Sequence, residues 1–187
     1  MKSLACALAL LASAATAQAA TVETQDPYLQ GLVDSILGGC LDDAEAMRTV
    51  QDRYLSEDNN LTTASAADVR DAIAGVLNTP ADNVTAEQPG PQTEIGAVTV
   101  KTAGTYETLP IVSYSLSLPC ECGFSFWAVG FDAPEADVKR VFADELAAAR
   151  QRVKDVLQGE GDGLELGIER NDQTPGAPTQ LYCSWST

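Results

Sequence analysis

The chain has 187 residues, with 27 acids against 11 bases and no histidine, for a net charge of −16 at pH 7. Such a polyanion repels phosphate backbones, because nucleic-acid binding draws on Lys and Arg that release counterions; no nucleic-acid partner is expected. The absence of histidine excludes the Ser-His-Asp triad, the Cys-His dyad and the His-containing zinc sites, leaving acid–base work to carboxylates, tyrosine, cysteine or lysine.

Residues 1–19 read as an export signal: Met1-Lys2 gives a positive start, Leu4 to Leu11 an apolar run, and Ala17-Gln18-Ala19 a small-x-small cleavage site. The run is too short to span a bilayer. Cleavage after Ala19 is expected, which places the remaining 168 residues in the periplasm or outside the cell with no membrane insertion. Loss of Lys2 leaves ten bases against the same 27 acids, a net charge of −17.

Asp26-Pro27 opens a helical segment at 20–78, with Asp as cap and Pro at the first helical position. Leu29, Val33, Ile36, Cys40, Met47 and Tyr54 fall on one helical stripe. Gly38-Gly39 interrupts it, which predicts a kink, or a break with Asp42 starting a second piece. A further helix is predicted over Ser65 to Leu77, with Ser65 and Asp68 as a capping box. Residues 79–94 are rich in turn formers and read as a linker.

The remainder, 95–187, reads as a sheet domain. Strands are predicted at Ile95 to Lys101, at Leu109 to Leu118 and at Phe124 to Phe131. In the second, Val112, Tyr114, Leu116 and Leu118 share one face and Ser113, Ser115 and Ser117 the other. The third is the most apolar and is expected to be central and covered on both faces. A long helix starts near Pro134, capped by Asp132 or Ala133, and ends at Gly159. Strands follow at Leu164 to Ile168 and at Thr179 to Trp185. The expected class is α+β: N-terminal helices, then an antiparallel sheet of about five strands in the order β-β-β-α-β-β, with one long helix packed on it.

Without Cys6, which falls in the signal, four cysteines remain: Cys40, Cys120, Cys122 and Cys183. In an exported protein an even count reads first as two disulfides. Residues two apart in an extended segment sit about 6–7 Å apart, too far for a bridge without a tight turn. The two connectivities that staple Cys40 and Cys183 to the turn around residue 121 are therefore favoured over Cys40–Cys183 with Cys120–Cys122. Thiol-redox work at Cys120/Cys122 is the sharper alternative, opposed by Glu121, whose charge raises a neighbouring thiol pKa.

Phe124, Phe126, Trp127, Phe131 and Trp185 read as core rather than as a platform for sugars or bases, with Trp185 the most exposed. The acidic run Gly159 to Gly163 lacks the ligand spacing of a calcium loop. No phosphate loop or nucleophile elbow occurs, so no catalytic, cofactor or metal residue is assigned and no cofactor is expected. The leading expectation is an exported, disulfide-stabilised, acidic protein of non-enzymatic binding type with a cationic envelope or secreted protein as partner. The alternatives are an envelope enzyme (a carboxylate-dependent hydrolase or a thiol-redox protein) and a structural component that assembles through a strand edge.

Overall fold

The computed structural model describes residues 21–56, 61–89, 95–120, 123–157, 163–170 and 176–186. The export-signal reading lies outside the described residues, as do Cys122 and the predicted helix end at Gly159.

The first helical stripe breaks at its glycines. Helix α1 spans Leu29–Leu37 and α2 spans Glu45–Leu55. Between them Gly39 (φ 98°) and Cys40 (φ 60°) take left-handed conformations that turn the chain. Arg152 closes the end of α1 by donating to the carbonyls of Leu37 and Gly38. The expected helix start is two residues early. Asp26 accepts the N–H of Tyr28 (2.9 Å) and the hydroxyl of Thr102 (3.1 Å), so it ties the helix entry to the sheet, and helical geometry begins at Leu29. The second piece likewise begins at Glu45 rather than Asp42.

Helix α3, Ala66–Val76, carries the predicted capping box: Ser65 accepts the Asp68 N–H and Asp68 accepts the Ser65 N–H. The predicted long helix is two pieces, α4 (Glu135–Val141) and α5 (Ala143–Leu157). Pro134 rather than Asp132 or Ala133 occupies the N-cap position. The break falls at Phe142, which stacks on Tyr106 and tilts against Phe131, filling the core at the joint.

The strands are β1 (Val22–Thr24), β2 (Val84–Glu87), β3 (Ala97–Tyr106), β4 (Leu109–Ser117), β5 (Phe124–Phe131), β6 (Leu164–Arg170) and β7 (Thr179–Ser186). All pair antiparallel in one sheet of order β1-β3-β4-β5-β7-β6, and β2 shares the outer edge of β3 with β1. The class is α+β as the pattern predicts, with seven strands in place of about five. The additional pair, β1 and β2, are three and four residues long, and β2 sits within the turn-rich stretch read as linker.

Helices cover one face of the sheet. The inward side chains, among them Val98, Val100, Leu116, Trp127, Val129 and Leu181, join α1, α2, α3, α4 and α5 in one continuous buried cluster. Gln88, just past β2, bonds Tyr54 of α2 (2.8 Å) and the carbonyls of Leu61 and Ala64, so the end of this edge strand is hooked to the helical layer. In β4 the predicted alternation holds at Tyr114, Leu116 and Leu118. It slips at a register shift between Ile111 and Ser113, so Ile111 takes the inward place expected for Val112.

Candidate functional site

The cysteines come together differently from the favoured pairing. Cys40 and Cys183 form a disulfide with Cα atoms 6.2 Å apart across 143 residues of sequence. The left-handed turn at Gly39-Cys40 brings Cys40 from the end of α1 against the inner face of β7, where Cys183 points inward with Leu181. The pair is 1% and 0% exposed. Cys120 is also disulfide-bonded. The expectation against this connectivity rests on the spacing of Cys120 and Cys122 along an extended segment and takes no account of the α1 turn, which sets the reach of Cys40 to Cys183.

Among the described residues, no element packs on the sheet face opposite the helices. Cross-strand register places its side chains in rows. One row runs Lys101–Ser113–Gly130–Gln180–Glu169, and the next Thr85–Thr99–Ser115–Ala128–Tyr182–Gly167. The middle strands β4 and β5 contribute only small side chains here, which leaves a trough of about 970 Å³. Its walls include Glu87, Thr99 and Lys101 on one side and Glu169, Arg170 and Gln180 on the other. Two other hollows are a notch of about 1170 Å³ between β1 and β2 on the edge of β3, and one of about 440 Å³ beside Cys40, Arg48 and Trp185.

The floor of the trough has little slack. A Cβ built on Gly130 would lie 2.6 Å from the Ser113 hydroxyl and 3.0 Å from Pro178. Thr99 and Ser115 share a hydrogen bond (2.9 Å), and Ser117 accepts the Phe126 N–H (2.9 Å). Ser113 is 9% exposed, and among the described residues its hydroxyl has no hydrogen-bond partner. Beside the trough the Tyr182 ring lies across Gly167, 3.1–3.2 Å from where a Cβ would sit, and stacks against Phe126 with centroids 6.3 Å apart. Burial, with the carboxylates of Glu165 (to which the hydroxyl donates) and Glu169, pushes the Tyr182 hydroxyl up to about 12. The sequence reading of the aromatics holds for Trp127 and Phe131, both buried, and for Trp185, which is partly exposed, whereas Phe124 and Phe126 are half-buried rather than core.

Side chains take up some main-chain groups on the β6 and β1 edges. On β6, Arg150 of α5 donates to the outward carbonyl of Leu166 (3.1 Å), and Glu135 of α4 accepts the outward N–H of Arg170. On β1, the Val22 N–H donates to Gln30 (2.7 Å). These contacts occupy main-chain groups that an incoming strand would need.

Five of the ten bases after residue 19 have partners within the fold. Arg70 pairs with Asp71, Lys139 with Glu135, and Arg140 with Asp137, while Arg150 and Arg152 hold main-chain carbonyls. Along the helical layer Asp42, Asp43, Glu45 and Asp52 are exposed. Among the described residues no three acidic, cysteine or histidine side chains converge as a metal set, and no helix is long and apolar enough to cross a membrane. No protein-family model matches the chain, no curated protein matches it in sequence, and no solved structure matches its fold.

Proposed function

We propose that this chain is an exported, disulfide-stabilised binding protein of non-enzymatic type, and that its partner is a cationic envelope or secreted protein. The observation that carries the reading is the imbalance of free charge. Acids outnumber bases 27 to 11, five of the bases are held by carboxylates or carbonyls of the fold, and Asp42, Asp43, Glu45 and Asp52 face solvent along one side. A surface of this sign attracts cationic proteins over distances of about a Debye length, roughly 10 Å at 0.1 M salt, and loses that attraction as salt rises.

One feature favours this reading over assembly by strand addition: side chains of Gln30, Arg150 and Glu135 take up main-chain groups on the β1 and β6 edges. The buried Cys40–Cys183 bridge supports the disulfide-stabilised part of the reading.

The oxidised protein, immobilised and challenged with an envelope extract, is expected to retain a defined basic protein at about 20 mM salt and release it at about 500 mM. Neutralising Asp42, Asp43, Glu45 and Asp52 together is expected to abolish retention. Absence of any specific basic protein at low salt would remove the reading.

A further inference from the structure

We propose that the trough on the sheet face opposite the helices is a binding site for a neutral saccharide. It is independent of the cationic partner.

Three observations converge on that ligand. The first is Ser113, a residue 9% exposed that lines the trough and whose hydroxyl, reachable from it, makes no hydrogen bond among the described residues. A ligand hydroxyl can take the place of the solvent that otherwise satisfies it. The second is the lining. Gln180 offers both donor and acceptor across Gly130 from Ser113, and the Thr99–Ser115 hydroxyl pair keeps spare lone pairs. Glu87 and Glu169 balance Lys101 and Arg170, so this lining has no net charge in a chain carrying −16. The third is shape and surface. The floor is two strands wide, which sets the walls about 14 Å apart, and Ser113 to Ser117 runs about 13 Å along the strand. The stacked Phe126 and Tyr182 rings adjoin it with apolar surface for sugar C–H groups.

Other ligand classes fit the same lining poorly. A peptide binds a sheet through its edge groups, and these lie out of reach from the face. An amphipathic helix requires an apolar floor, whereas this floor is hydroxyl-rich. A phosphate or polyanion meets Glu87 and Glu169 within a strongly acidic chain. A neutral polyol, alternating donors and acceptors around an apolar ring, matches both the mixed polarity and the balanced charge.

The test is titration of the ¹⁵N-labelled, oxidised protein with cellotetraose, maltotetraose and chitotetraose, followed by amide shift mapping. The expected result is saturable shifts at Thr99, Val112, Ser113, Ser115 and Gln180 with at least one of these, unchanged when salt is raised from about 20 to about 500 mM. Ser113→Ala combined with Gln180→Ala should weaken that binding at least about ten-fold, equivalent to roughly 1.4 kcal/mol, with the melting temperature held. Should that variant fold poorly, Thr99→Val serves the same purpose from the wall. No saturable shift with any of the three, shifts confined to the helical layer, or undiminished binding by the variants would each overturn the proposal. Loss of the cationic partner in high salt leaves the saccharide titration unaffected, so the two readings fail separately.

Discussion

Cys183 of the last strand and Cys40 at the end of the first helix are covalently joined beneath the sheet, 143 residues apart in sequence. Closing a loop of this size removes about 5 kcal/mol of unfolded-chain entropy in the usual polymer treatment. Cys40→Ala with Cys183→Ala is therefore expected to lower the melting temperature by roughly 10–20 °C for a chain of this length, measured by calorimetry. Mild reductant without denaturant should open the bond at half-exposed Cys120 first. Peptide mapping after alkylation is expected to find Cys120 labelled while Cys40 and Cys183 remain joined. Equal labelling of all three would show that the inner bridge breathes.

The Tyr182 hydroxyl gives a pH dependence with a definite sign. Its pKa is about 12 in the folded chain and about 10 when unfolded. The stabilisation linked to it is complete below pH 10 and is lost as pH rises through about 12. Difference titration at 295 nm between the wild type and Tyr182→Phe should show this late-ionising phenol. Glu165→Gln removes a charge that holds the proton on while keeping an oxygen that accepts from the phenol, so it should move the transition toward 10. An unmoved transition would assign the shift to burial alone.

Gly167→Ala tests the close approach beneath that ring. The new Cβ would sit 3.1–3.2 Å from the hydroxyl and two ring atoms of Tyr182, so the ring must lift away from β6. A cost of about 1–3 kcal/mol is expected in urea unfolding, together with a lower Tyr182 pKa as burial is lost.

Arg150 and Glu135 together predict the solution behaviour of the β6 edge. Arg150→Ala with Glu135→Ala frees the Leu166 carbonyl and the Arg170 N–H. Light scattering on heating should then show association at a temperature where the wild type remains monodisperse. Identical scattering would show that the charges of Glu165, Glu169 and Arg170 protect the edge unaided.

Ser65→Ala removes the acceptor for the Asp68 N–H at the start of α3. A loss of about 1 kcal/mol is expected from equilibrium unfolding, and Ser65→Asn should recover most of it.

Long elements with strong periodicity were legible in the sequence. The stripe through Val69 and Ile73, the Ser65–Asp68 box and the serine alternation of β4 each carry a local physical signature, and each is present in the fold. What escaped was set by partners distant in the chain. Val22–Thr24 and Val84–Glu87 are too short to show a period and become strands because β3 supplies their hydrogen bonds. Phe142 lies on the apolar stripe of a predicted long helix, yet its packing between Tyr106 and Phe131 coincides with a break. The trough was half legible. Ser113, Ser115 and Ser117 were assigned to a polar face, but only cross-strand register reveals that Gly130, Ala128 and Gly167 keep the neighbouring positions small.

Strand β7 is the last to be made, yet it lies between β5 and β6. Among the strands β6 touches β7 alone, so a chain lacking its final eleven residues would leave β6 unpaired, β5 bare along one side and Cys40 without its bond. The sheet is thus incomplete until β7 has been made. In a chain emerging N-terminus first, β5 and β6 wait as strands without their common neighbour, and such unpaired edges are prone to self-association.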